Sequence, residues 1–208
     1  MNRMNQRFSL RPMLRYLFVT GFFAAGAFGS ARAACPDVSN SYSANLFNTI
    51  TKGVALANTS CTAEDEPHGG SCNSFVGMVV DKTYGQPDLK TRGGYLSVAQ
   101  LNAYLPASTT WTFMGPAARQ DVLNQAQTDA NNGAPVIAIS KDHEALLLPS
   151  PVLVLSRGFA NLCVPMSAAH FSTDPSLNYA SGPLSLSWAL PDGVSIWERT
   201  GPLLLHSS

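Results

Sequence analysis

The residues best suited to chemistry stand in one stretch, His68-Gly69-Gly70-Ser71-Cys72-Asn73-Ser74-Phe75-Val76. A glycine pair delivers a cysteine to the start of an apolar run in which Phe75, Val76, Val79 and Val80 recur at helix-like spacing. Ser71 is the expected N-cap, which puts Cys72 in the first helical turn. Backbone N–H groups are unpaired there and the helix dipole is positive, and both favour thiolate over thiol. Those are the conditions of a nucleophile, and the two glycines leave room for a carbonyl to approach. A disulfide cysteine at a helix start shows the same pattern, so the stretch alone keeps both roles open.

A thiol nucleophile needs a base close in space rather than in sequence. The histidines are His68, His143, His170 and His206. His68 lies in the loop just before Cys72, His170 in a polar segment beyond Cys163, and His206 in the tail. His143 is the preferred base, because it falls where one strand run turns into the next. A strand end holds an imidazole rigidly over a neighbouring helix terminus. Imidazole takes the thiol proton to give a thiolate–imidazolium pair, and the imidazolium later protonates a leaving amine.

The elements that must position these groups are legible in outline. Residues 37–57 read as a capped helix with Leu46, Ile50, Val54 and Leu56 on its apolar face, and 58–70 as a polar loop. The Cys72 helix ends near Tyr84-Gly85, with Pro87 beyond it. A second short helix is expected over 97–104 and a polar one over 117–130, stopped by Asn131-Asn132-Gly133. Trp111 to Met114 is β-prone. After that the period changes: 135–140 and 144–148 are buried-strand runs around Lys141-Asp142-His143, and 152–155, 162–166, 184–188 and 194–197 are further strands. Glu144 is expected to face solvent. Helices first and strands later make an α+β fold with an antiparallel sheet.

Composition bounds the setting. Residues 1–33 read as an export signal: Arg3, Arg7, Arg11 and Arg15 precede an uncharged apolar run, and Ala31-Arg32-Ala33 fits a cleavage site. Residues 34–208 then form one domain, periplasmic or secreted, with no stable membrane span. Five of the 13 basic residues lie in the signal and none of the 13 acidic ones, so the remainder carries 8 − 13 = −5, which argues against nucleic-acid partners. Cys35, Cys61, Cys72 and Cys163 all fall in the exported part, where disulfides persist. An even count allows two bridges; a nucleophilic Cys72 allows only one among the other three. No spacing suggests a metal site, and no cofactor is expected.

Three blocks in order give the chain a recognisable pattern: Cys72-Asn73-Ser74-Phe75-Val76, the strand from Gly133 to Ile139, and His143-Glu144-Ala145-Leu146-Leu147-Leu148. With Arg92-Gly93-Gly94 and the Trp111 segment, the chain resembles the NlpC-type papain-like cysteine peptidases, closest to the peptidoglycan amidase effectors of type VI secretion. The resemblance implies a papain-like core of N-terminal helices on an antiparallel sheet. It implies hydrolysis of an amide in peptidoglycan stem peptides, often the bond from D-glutamate to meso-diaminopimelate, with Cys72 as nucleophile and His143 as base. A third polar group on the next strand orients the histidine in such enzymes, and Asn161 is the choice here, a simple dyad being the alternative. A cognate inhibitor (immunity) protein is a further implied partner. The export signal departs from the effector pattern. The rival readings are a non-catalytic, disulfide-stapled binding module on the same scaffold, and a cysteine deamidase or acyltransferase.

Overall fold

Every residue of β4 (Val136–Ile139) and β5 (Glu144–Leu147) is buried, so the sheet they belong to is covered on both faces. The structure, a computed structural model, describes residues 34–68, 75–171 and 174–200. Its helices there are α1 (Ala44–His68), α2 (Phe75–Tyr84), α3 (Val98–Tyr104) and α4 (Gln120–Asn131). Two small hairpins stand apart, one of β1 (Lys90–Thr91) and β2 (Gly94–Tyr95), the other of β6 (Val154–Ser156) and β7 (Leu162–Val164). The main sheet adds β3 (Trp111–Pro116), β8 (Met166–Ala169), β9 (Tyr179–Pro183) and β10 (Ser195–Arg199). Its order is β3-β10-β4-β5-β8-β9, with each pairing antiparallel. The architecture is α+β, helices early and strands late.

Side chains alternate across a strand, so the two faces of the sheet collect different cores. Ile137, Ile139, Leu146, Leu148 and Ala168 pack with α1, α2 and α3 through Ile50, Val54, Val76, Val79, Val80 and Leu101. Val136, Ala138, Ala145, Leu147 and Ala169 pack with α4 through Val122, Leu123, Ala126 and Ala130. Odd and even positions of β5 therefore belong to opposite layers.

The helices differ from expectation at their ends. α1 begins later than residue 37 and runs through the stretch read as a loop, because Ile50, Val54, Ala57 and Cys61 continue one buried stripe at helical spacing. It crosses α2 closely at Gly53, where a Cβ would fall 1.8 Å from Thr83 Oγ1. α2 ends at Gly85, whose φ of 66° suits glycine, and the Gln86 N–H closes back on the Val80 carbonyl. α3 is set by a capping box between Ser97 and Gln100.

α4 is polar by composition, yet it turns amides inward. Gln120 holds both backbone groups of Cys163 at 2.8 Å. Gln127 donates to the Leu148 carbonyl at 2.8 Å and accepts from the Met166 N–H at 3.1 Å. Asn131 donates to the carbonyls of Val38 and Ser150 and accepts from the Ser150 N–H. A primary amide matches a peptide group donor for acceptor, so these burials leave the backbone paired. The disulfide from Cys35 to Cys163, 128 residues apart, fixes the N-terminal segment to β7 beside Val38 and Leu153.

Two strand expectations are corrected. The run 184–188 is a 3-10 turn (Leu184–Leu186), and the edge strand is β9 just before it. Pro183 ends β9 because it has no N–H to offer the ladder. Glu144, expected to face solvent, is 4 % exposed.

Candidate functional site

Cys72 and its expected cap Ser71 lie outside the described residues. What is described is the turn they lead into, Phe75 and Val76 at the start of α2, and the sheet beneath it. The Val76 N–H donates to Glu144 Oε1 at 3.2 Å. Glu144 Oε2 is buried and has no hydrogen-bond partner among the described residues. Burial pushes this carboxyl up to about 8, and the Val76 N–H pulls the other way. It holds a proton at neutral pH.

The partner strand supplies an imidazole. β5 and β8 pair Leu146 with Ala168 and Leu147 with Ser167. The same register carried outward sets Glu144 opposite His170 and His143 opposite Phe171. His170 is 5 % exposed, its ring stacks on Phe75 with centroids 6.2 Å apart, and its Nδ1 lies 3.2 Å from Asn58 Oδ1 of α1. Glu144, His170 and Asn58 thus gather under the first turn of α2. None of the three was singled out as a site residue from sequence.

His143 sits on the other face. Its ring stacks on Phe171 at 4.2 Å between centroids and meets Trp188 at 5.1 Å. Both neighbours pack with the α4 core. Its Nε2 is buried without a partner among the described residues, and burial pushes the imidazole down to about 4 against the opposing pull of Asp142. The structure therefore separates His143 from the helix start that it was expected to serve, because strand alternation sends residue 143 to the α4 side and residue 144 to the α2 side. Asn161 is corrected in place as well. It is exposed, at φ 59°, in the turn between β6 and β7, whereas the neighbour of β5 is β8.

The cysteines bear on the site directly. Cys61 is fully buried on α1 and disulfide-bonded, Cys35 and Cys163 are joined to each other, and no cysteine among the described residues is free. With four cysteines in the chain, Cys72 is the one left by elimination as the partner of Cys61.

Elsewhere, an open cleft of about 500 Å³ between α4 and the β3–β10 edge is lined by Arg119, Asp121, Asp129 and Glu198. Arg119 is paired with Asp121. Burial raises the carboxyls of Asp129 and Glu198 above their ordinary range. None of the expected site residues lines it. Among the described residues no cluster of His, Cys, Asp and Glu is placed to hold a metal, and no helix is long and apolar enough to cross a membrane.

Compared with models of known protein families, with curated proteins and with solved structures, the chain matches none. The likeness to papain-like peptidases therefore stands on the residues that carry it.

Proposed function

We propose that this chain is an exported cysteine hydrolase that cleaves an amide bond in peptidoglycan stem peptides, the D-glutamate to meso-diaminopimelate bond foremost, on a papain-like scaffold of the NlpC type. Cys72 is its nucleophile and a histidine its base. One observation carries the reading: a carboxyl and an imidazole, Glu144 and His170, are buried side by side in register against the turn that follows Cys72. Buried ionisable groups gathered under a helix start are costly to keep for packing alone. The test is incubation of the reduced protein with defined muropeptides, with products weighed by mass spectrometry. The expected result is one amide cleaved with the gain of one water, and loss of cleavage in Cys72→Ala. Cleavage retained in that variant rejects the reading.

A specific observation favours a second reading, the non-catalytic, disulfide-stapled binding module. Cys61 is bonded, and a sulfur tied to it cannot attack a carbonyl. Thiol titration of the native protein separates the two. No free thiol before reduction, together with no cleavage after it, supports the binding module. Cleavage that emerges on reduction supports the hydrolase.

A further inference from the structure

We propose that His170 is the general base of this hydrolase and that Asn58 is the residue that orients it; the proposal rests on the reading of Cys72 as nucleophile. The argument starts from reach. Cys72 is three residues before Phe75, and three residues of extended chain span about 10 Å at most. Phe75 itself stacks on the His170 ring. The nucleophile is thus tethered on the α2 side of the sheet, where His170 stands, while His143 lies beneath Phe171 and Trp188 on the α4 side.

The second step is the tautomer. The Asn58 amide oxygen is 3.2 Å from His170 Nδ1, and an amide oxygen only accepts, so Nδ1 carries the proton and donates it to Asn58. The ring lone pair is then on Nε2, the nitrogen that works as a base. Fixing the tautomer and the ring plane is the part that an orienting residue plays in a Cys-His pair.

The chemistry balances without any added co-reactant. His170 Nε2 takes the proton of the Cys72 thiol, leaving a thiolate and an imidazolium. The sulfur electron pair forms a bond to the scissile carbonyl carbon. The C–N bond then breaks, and the imidazolium proton goes to the departing amine. Water next attacks the thioester, giving one proton to His170. The C–S bond breaks, the carboxylic acid leaves, and the thiol regains its proton.

Of the elements packed against His170, α1 brings the neutral amide of Asn58, α2 the ring of Phe75, and β5 the buried carboxyl of Glu144. Among these described neighbours Glu144 is the titratable one, so any pH profile is to be recorded in Glu144→Gln as well as in the native chain.

The experiment compares His170→Ala, His170→Gln, Asn58→Leu, Asn58→Asp and His143→Phe in the full reduced protein, with circular dichroism melting to confirm folding. Muropeptide cleavage is measured across pH. Iodoacetamide alkylation of Cys72, located by peptide mass mapping, is measured across pH in parallel. His170→Ala and His170→Gln are expected to lose on the order of 10²-fold or more in kcat/KM, and to lose the rapid alkylation near neutral pH. His143→Phe is expected to keep both. Asn58→Asp is expected to move the acid limb of kcat/KM to higher pH, because a carboxylate stabilises the imidazolium, and Asn58→Leu to move it lower. A purely structural Asn58 lowers the amplitude without moving the limb, and that outcome removes it from the proposal. Rapid alkylation kept in both His170 variants and lost in His143→Phe overturns the assignment of the base. Cleavage kept in Cys72→Ala overturns the hydrolase itself, and the two failures are thereby distinguished.

Discussion

The backbone N–H of Val76 donates to the side chain of Glu144 across 3.2 Å, tying the first turn of α2 to the first residue of β5. A carboxyl at a helix N-terminus is favoured when ionised, through the free N–H groups and the dipole. Here burial wins over that preference and holds the group near 8, against an ordinary value of 4.5. The helix start is thus met by a neutral carboxylic acid.

Stability should fall as pH rises from about 4.5 to about 8, because the folded chain keeps the Glu144 proton that the unfolded chain sheds in that window. The contribution is fully present below 4.5 and lost by the time the folded carboxyl ionises. Its slope is at most roughly 1.4 kcal/mol per pH unit. Urea unfolding across this range measures it. Glu144→Gln keeps an oxygen for the Val76 N–H and removes the titration, so its profile should be flatter. An unchanged slope shows that Glu144 is not the source.

His143 should act with the opposite sign. Burial depresses its imidazole from 6.5 to about 4, so between those values the unfolded chain binds a proton that the folded chain refuses. Its contribution is present above 6.5 and lost as pH falls toward 4. Against Glu144 the two slopes oppose each other between about 4.5 and 6.5, leaving a plateau there and a decline on both sides. His143→Phe preserves the stack on Phe171 and should remove the acid-side decline of this pair. Paired urea titrations of the two single variants and the double variant check this directly.

Much of this scaffold was legible in the sequence, and the part that was not has a physical cause. The change from helical period to continuous apolar runs after Gly133 announced the α+β order, and Ser97 with Gln100 announced α3. The facing of β5 was not legible. Ala145 to Leu148 is apolar at every position, so nothing in the run says which alternate residues meet α2 and which meet α4. That ambiguity falls on the adjacent pair His143 and Glu144, where one step exchanges the faces. Asn58 and His170 were hidden for a related reason. Each lies in a polar stretch read as loop or connection, and only the extended α1 and the β5–β8 register bring them together. The inward glutamines of α4 show the same limit, since a side-chain amide paired with backbone looks in sequence like a solvated one.

A buried ion pair fastens the far edge of the sheet. Arg199 Nε of β10 lies 3.0 Å from Asp88 Oδ2, with the two side chains 9 % and 14 % exposed. Asp88 also accepts from Trp111 Nε1 at 3.0 Å on β3. Removing one member leaves the other charge buried and unpaired, so Asp88→Ala should cost about 3–5 kcal/mol. The double variant Asp88→Leu/Arg199→Met should cost less than the single one, because no charge is stranded. Chemical denaturation of both decides it; a double variant worse than Asp88→Ala would show that the pair contributes net stability.

Cys61→Ala should make the protein independent of reductant. Cys61 is fully buried on α1 and disulfide-bonded, and Cys72 is the one cysteine remaining for it. In the native chain muropeptide cleavage should therefore emerge only after a small thiol has exchanged with that bridge, releasing the Cys72 sulfur as thiolate. Alanine at 61 leaves Cys72 free from the outset and suits the helix, though the lost packing lowers stability. A general loosening by the reductant is controlled by Cys35→Ala/Cys163→Ala, which removes the other bridge and should still require the thiol. Losing that bridge, which closes a loop of 128 residues, should cost about 2–5 kcal/mol, so the control is assayed well below its melting temperature. Activity of Cys61→Ala without reductant, beside an inactive oxidised native chain, ties the reaction to the sulfur of residue 72. Inactivity of Cys61→Ala in a folded state, with its one new thiol confirmed by titration, turns the balance to the binding module.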